Sequence, residues 1–139
     1  MISIRQAITP RELEVAEQLE RKLFPLDDPY RNYDAKWWLA WQDGEPVAFA
    51  AVAPVAGEPG VWFLARSGVV KSARGQNLQC RLIRVREAYA RRMQGSTILT
   101  YTAADNLASA NNLVRSGYKL YQPQFKWGCA GAIYFRKDF

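Results

Sequence analysis

The hydrophobic positions of the chain alternate between two periods, and the switches between them mark out the elements. Residues 2–7 predict a short strand. Thr9-Pro10-Arg11-Glu12 then reads as a helix start: Thr9 caps, Pro10 suits the first helical position, and Glu12 sits three after the cap. Leu13, Val15, Ala16, Leu19 and Leu23 continue it as an apolar stripe at helical spacing. Phe24-Pro25-Leu26-Asp27-Asp28-Pro29 ends that helix, and a short second helix or a loop runs to about Ala35. Three strands follow as a meander. Lys36–Trp41 is the first, turned by Gln42-Asp43-Gly44-Glu45, and Asp-Gly tolerates the positive φ of a tight hairpin. Val47–Val55 and Val61–Val70 are the other two, separated by Ala56-Gly57-Glu58-Pro59-Gly60.

After Ser72–Asn77 the period returns to helical. Leu78, Leu82, Ile83, Val85, Ala88 and Tyr89 form a stripe that reaches about Met93 and stops at Gly95. Thr97–Thr102 is β-branched and aromatic, a strand. Asp105 or Asn106 opens another helix, which closes at Ser116-Gly117. Tyr118–Tyr121 and Ala132–Lys137 are the last strands. The expected order is β, α, (α), β, β, β, α, β, α, β, β. It predicts an α/β or α+β fold, one mixed sheet covered on both faces, with residues 1–139 as a single domain. Trp37, Trp38, Trp41 and Trp62 read as core and sheet surface rather than as a base-stacking platform or an aromatic cage.

Composition narrows the chemistry. At 139 residues and 49% hydrophobic the chain is long and apolar enough for a core without staples. No run of about 20 apolar residues is present, so no membrane span is expected. The N-terminus carries no signal-peptide pattern, and a cytoplasmic location is the expectation. Histidine is absent, which excludes Ser-His-Asp and Cys-His triads and histidine metal sites. Cys80 and Cys129 fit no metal spacing, and no metal is expected. The net charge is +6, concentrated between Arg66 and Arg92, where Lys71, Arg74, Arg81, Arg84, Arg86 and Arg91 are opposed by Glu87 alone. The middle of the chain is therefore its anion-facing part. The first 35 residues are acidic by contrast.

The most informative segment is Val69-Val70-Lys71-Ser72-Ala73-Arg74-Gly75-Gln76-Asn77-Leu78: a strand ends, a polar turn follows, a helix begins. Free N–H groups and the dipole at a helix start favour an anion. Gly75 permits close approach, Asn77 tolerates left-handed backbone, and Arg74 is a charged donor for phosphate oxygens.

This segment resembles the pyrophosphate-binding motif of the GNAT N-acetyltransferase superfamily, Arg/Gln-x-x-Gly-x-Gly/Ala after a valine-ended strand. Arg74 stands at the Arg position, and Asn77 and Gln79 stand where the family has glycines. A second block, Asn106-x-x-Ser109 followed by Leu113 and Gly117-Tyr118, is similar to the family's Asn-x-x-Ser/Ala-x-x-x-Tyr-x-x-x-Gly-Phe/Tyr run. The resemblance covers nearly the whole chain. It implies a mostly antiparallel central sheet of about six or seven strands with helices on both faces, and an N-acetyltransferase that moves an acetyl group from acetyl-CoA directly to a primary amine.

For individual residues the resemblance implies the following. A backbone N–H near Val69 and Val70 faces the thioester carbonyl. The N–H groups of Arg74, Gly75, Gln76, Asn77 and Leu78, with Gln79 beside them, hold the pyrophosphate. Asn106 and Ser109 lie near the pantetheine arm, and Arg115 is placed for outer phosphates. Leu113 replaces the tyrosine that protonates the departing thiolate, so Leu113 packs and Tyr118 or Tyr101 is the candidate donor. No acid occupies Val61–Val70, which leaves Asp27, Asp28 and Asp105 as candidate bases. The acceptor site is expected between the loop Phe24–Tyr30 and the strand ends near Arg66 and Tyr101, with Asp27 and Asp28 attracting a cationic amine, either a small molecule or a protein amine. A monomer or homodimer is expected. The alternative is a non-catalytic module on the same fold, binding nucleic acid or protein through Arg81, Arg84, Arg86, Arg91 and Arg92.

Overall fold

The computed structural model describes residues 1–139. The elements run β1 (Ile2–Ala7), α1 (Pro10–Leu23), β2 (Lys36–Gln42), β3 (Glu45–Pro54), β4 (Val61–Val69), a 3-10 turn (Lys71–Ala73), α2 (Leu78–Arg92), β5 (Thr97–Thr102), α3 (Leu107–Arg115), β6 (Lys119–Leu120) and β7 (Ile133–Asp138). The strands form one seven-stranded sheet in the order β1-β2-β3-β4-β5-β7-β6, and only β4 and β5 run parallel. The mixed, mostly antiparallel sheet is thus the one expected.

Local chemistry sets the element ends. Thr9 accepts from the Glu12 N–H at 3.1 Å, and Glu12 accepts from the Thr9 N–H at 2.9 Å, a complete capping box. Asp43 and Gly44 both take positive φ, 53° and 78°, the two left-handed residues that the shortest hairpin turn requires. Residues 24–35 form turns and extended chain with no helix. Pro25 and Pro29 explain this: each lacks an N–H and drives its predecessor out of the helical region.

The sheet has a core on each face. Trp38, Ala40, Ala48, Ala50, Val52, Trp62, Leu64 and Ile98 point one way and pack with Leu78, Leu82, Ile83 and Ala90 of α2. Leu39 and Phe49, at the alternate positions, point the other way and pack with Ala16 and Leu19 of α1. Because both faces are covered, Val47–Ala53 is buried without interruption. Trp38 and Trp62 lie in the core, both meeting the Tyr89 ring, while Trp37 and Trp41 are half-buried on the sheet.

Two irregularities open the sheet. On the β3 side of β4, Ala50 pairs with Ser67 and Val52 with Leu64, so Ala65 and Arg66 together oppose Ala51. That extra residue is a β-bulge, which bends its strand. On the other side, β4 and β5 pair only from Val61↔Thr97 to Phe63↔Leu99. Beyond Phe63 they part, linked once more by the Thr100 hydroxyl donating to the Leu64 carbonyl at 3.0 Å.

Candidate active site

A cavity of about 920 Å³ fills the gap where β4 and β5 part. Gln79, Ile83 and Arg86 of α2 and Asn112 and Leu113 of α3 line it on one face of the sheet. Phe24 to Arg31, the loop after α1, lines it on the other. Leu64–Ser67 and Thr100–Thr102 are its side walls. The cavity therefore passes through the sheet.

Next to Gln79, at the helical end, lies the turn before α2; Val69, Val70 and Arg74 to Leu78 adjoin the cavity in sequence but do not line it. Asn77, the residue preceding the helix, is left-handed (φ 59°, ψ 24°), and Gly75 has φ 83°. A Cβ built on Gly75 would meet nothing within 4 Å, so backbone conformation alone demands glycine there. The Asn77 side chain makes no cap bond, whereas Thr9 and Asn106 cap their helices. The first-turn N–H groups of α2 thus lack a side-chain cap, an arrangement that favours an anion. Arg74 turns its Nε back to the Val69 carbonyl at 3.2 Å, and Gln76 Nε2 donates to Ala73 O at 3.2 Å. Gln79 does not project into the turn: its Oε1 accepts from the Ser67 hydroxyl at 3.1 Å across the cavity mouth. Val69 is buried and Val70 half-buried at the strand end.

The opposite end is built on Arg66, the bulge residue. Its Nη2 pairs with Asp27 at 3.3 Å, its Nη1 lies 3.6 Å from Glu20 and donates to the Asp28 carbonyl at 3.4 Å, and its guanidinium covers the Phe24 ring at 4.7 Å. Asp27 is therefore partly neutralised, while the Asp28 carboxylate has no ion-pair partner. Glu20 is fully buried: Oε2 accepts the Tyr30 N–H at 2.8 Å and Oε1 has no partner. Burial pushes the Tyr30 phenol up. Tyr101 lines the cavity, stacked on Phe63 and edge-on to Trp127, which also meets Tyr134. Gly128 has to be glycine here, since a Cβ would stand 2.9 Å from the Tyr101 ring. No local sequence pattern marks Trp127, because its partners come from β4, β5 and β7.

Between the two ends, Arg86 reaches the cavity from beneath the bulge. Nε donates to Leu82 O at 3.1 Å, and Nη1 donates to Ala51 O at 3.0 Å and Ala65 O at 3.2 Å. Nη2 has no hydrogen-bond partner, and no carboxylate pairs with the group. Desolvation lowers its pKa to about 10, which leaves it charged at neutral pH. Thr102, on the β5 wall, has a buried hydroxyl without a partner.

The other expected residues divide. Asn106 and Ser109 line the cavity, with Asn106 Oδ1 capping α3 through the Ser109 N–H at 3.2 Å. Leu113 lines it as a buried apolar residue. Asp105 is exposed on the turn before α3, Arg115 is exposed near that helix's C-terminus, and neither lines the cavity. Tyr118 is buried behind the cavity, with its hydroxyl unpartnered. Desolvation and the neighbouring Glu87 carboxylate push that hydroxyl far up. Cys129 lines the cavity and Cys80 is buried; both are free thiols. Of the arginines of α2, Arg84 is exposed and the others have partners within the chain. Arg86 is internal, Arg81 donates to Ile2 O at 3.2 Å, Arg91 covers Phe139 and Arg92 covers Tyr89.

Comparison with known proteins agrees with this architecture. No curated protein sequence matches significantly. Solved structures do: Arabidopsis thaliana NAA60 in complex with acetyl-CoA has a TM-score of 0.79 at 19% identity, covering 99% of this chain and 98% of that one. The ribosomal-protein-S18-alanine N-acetyltransferase from Escherichia coli has a TM-score of 0.76 at 16% identity, covering 99% and 94%. A Bacillus subtilis acetyltransferase in complex with CoA has a TM-score of 0.74 at 16% identity, covering 100% and 99%. At these identities the likeness is one of fold. The family model described as Acetyltransferase (GNAT) family matches residues 2–118, most of the chain, and the protein is a member of that family.

Proposed function

We propose that the protein transfers an acetyl group from acetyl-CoA to a primary amine by direct attack of the amine on the thioester. The observation that carries this reading is the cavity through the sheet. On one face it opens at Gln79, two residues past the left-handed Asn77 and its uncapped helix start, and on the other it reaches the acidic loop of Asp27 and Asp28. Family membership, and neighbours crystallised with acetyl-CoA and CoA, support the donor.

In this reading the N–H groups from Arg74 to Leu78 hold the pyrophosphate, and Val69 and Val70 present backbone at the strand end. Gln79, Asn106 and Ser109 contact the pantetheine arm at the mouth, and Leu113 packs against it. Arg115 serves outer phosphates. The acetyl thioester supplies an electrophilic carbonyl; the N–C bond forms as the C–S bond breaks. Asp28, unpaired and at the acceptor end, draws a cationic amine inward, with Asp27 and Arg66 shaping the loop. Such an amine, with a pKa of about 10.4, is neutral in only about one molecule in a thousand at pH 7. Transfer into the partly desolvated cavity favours that neutral form. Of the tyrosines, Tyr101 faces the cavity and is the proton donor for the departing thiolate.

The test is a thiol-release screen of amine acceptors with acetyl-CoA, followed by intact-mass analysis of enzyme incubated with acetyl-CoA alone. Direct transfer predicts acceptor-dependent release and no acetylated protein. Cys129→Ser then retains turnover. An acetyl-enzyme that disappears in Cys129→Ser would replace direct transfer by a two-step route.

A further inference from the structure

Arg86 is costly to place where it is. A buried cation is ordinarily matched by a carboxylate, because desolvating an unpaired charge is expensive. Arg86 is 2% exposed, forms no ion pair, and satisfies only Nε and Nη1, all on backbone carbonyls. Nη2 is left without a partner on a residue that lines the cavity. Carbonyl groups orient a guanidinium but do not neutralise it, and the neighbouring Glu87 carboxylate, which favours the charged form through space, is paired with Lys137 and not with Arg86.

The position is as informative as the charge. Gln79, Ile83 and Arg86 line the cavity at i, i+4 and i+7 on one face of α2. At about 1.5 Å per residue, Arg86 lies about 10 Å deeper along the helix than Gln79 at the mouth. Its Nη1 binds Ala65 O, two residues beyond the last β4–β5 pair at Phe63↔Leu99. The guanidinium therefore sits at the closed end of the splay. In the donor-site reading the pyrophosphate sits at the turn two residues before Gln79, outside the mouth, so a donor's acyl terminus runs inward along the Gln79–Ile83–Arg86 face. The unpartnered Thr102 hydroxyl adds a second polar group to the same cavity.

We infer that Arg86 is a specificity-determining residue for the acyl donor, and that the cavity takes CoA thioesters of short dicarboxylic acids, whose free carboxylate pairs with the guanidinium. This rests on the donor-site reading above. Transfer then follows the same balance: the amine nitrogen bonds the acyl carbon, the C–S bond breaks, CoA leaves as its thiol after taking the proton that the amine loses, and the distal carboxylate stays ionised throughout.

Calorimetry on the wild-type protein with CoA, butyryl-CoA and succinyl-CoA decides the matter without any acceptor. Butyryl and succinyl chains are of similar length and differ in terminal charge. A buried charge-assisted pair predicts that succinyl-CoA binds at least about tenfold more tightly than butyryl-CoA. The preference disappears in Arg86→Gln. Equal affinities in the wild type would overturn the inference while leaving the donor site standing, as would a preference that survives in a folded Arg86→Gln variant. If the variant does not fold, the wild-type ratio alone decides. Failure of CoA itself to bind would overturn the donor-site reading and this inference with it.

Discussion

Replacing Tyr118 by Phe removes one oxygen from the core and separates two roles for this residue. The ring is buried among the residues beneath α2, and the Lys137 ammonium lies 5.6 Å from its centroid. Both features survive in phenylalanine, whose face also attracts a cation. The hydroxyl is another matter. It makes no hydrogen bond of proper geometry, and the Glu87 carboxylate, close enough to raise its pKa, directs Oε2 to Lys137 Nζ at 3.0 Å. An unsatisfied buried polar group costs about 1–3 kcal/mol. Its removal is offset in part by the small void left behind, so Tyr118→Phe is expected to be neutral or to stabilise by up to about 2 kcal/mol. For a domain of this size that is a rise in Tm of about 3 °C per kcal/mol.

The pH dependence carries an independent sign. Burial raises the Tyr118 pKa above its ordinary 10.0. The folded state therefore resists ionisation that the unfolded chain undergoes. The contribution is fully present below about pH 10 and is lost as pH rises further. Tyr30 and Tyr121 are raised as well, so the difference between wild type and Tyr118→Phe isolates this residue. Urea denaturation at pH 7 and pH 10.5 measures both effects, and the variant should lose less stability than the wild type over that interval. A loss of 1 kcal/mol or more at pH 7 would show that the hydroxyl is bonded after all. A tenfold fall in turnover at unchanged stability would make Tyr118, and not Tyr101, the proton donor.

Three further outcomes follow from particular contacts. Gly75→Ala meets no atom within 4 Å but must hold φ 83°, so it should cost about 1–2 kcal/mol of stability and weaken CoA binding in calorimetry. Asp28→Asn should raise KM for a cationic acceptor and leave that for acetyl-CoA unchanged, because Asp28 is the unpaired member of the acidic pair; an unmoved acceptor KM would make it a solvated turn residue. Glu12 is held below its ordinary 4.5 by the N–H groups of Thr9 and Ile8, so its contribution is present above that value and lost as pH falls through the lowered one. Glu12→Gln should flatten the acid limb of the stability profile between pH 6 and pH 3.

What the sequence made legible was local. The capping box at Thr9, the Asp43-Gly44 hairpin and the left-handed Asn77 are each decided by a few adjacent residues, and a short window contains all the physics. Glu20 is absent from the sequence expectations and Arg86 enters them only as one arginine of a binding helix, although a signal for both is present. Arg86 stands at the i+3 position from Ile83 and the i+4 position from Leu82, inside the apolar stripe of α2. Glu20 stands at i+4 from Ala16, inside that of α1. A charge in a buried stripe is an anomaly that periodicity exposes. Whether it is matched depends on strands far away in sequence, and no local pattern supplies those.

The two anomalies meet at one place. Glu20 comes from the helix on one face of the sheet and lies against the Arg66 side chain; Arg86 comes from the opposite face and holds the Ala65 carbonyl. Ala65 and Arg66 are the two residues of the bulge, the point beside which β4 leaves β5. A bulge strains the ladder, and each buried charge costs desolvation, so stability alone selects neither. Both costs fall on the one irregularity from which the cavity opens. Arg86 bridges the Ala51 and Ala65 carbonyls across the bulge, and Glu20 lies against Arg66 on the far side. This concentration of cost at a single opening, rather than any one residue type, is what supports the proposal that the splay is the working part of the molecule.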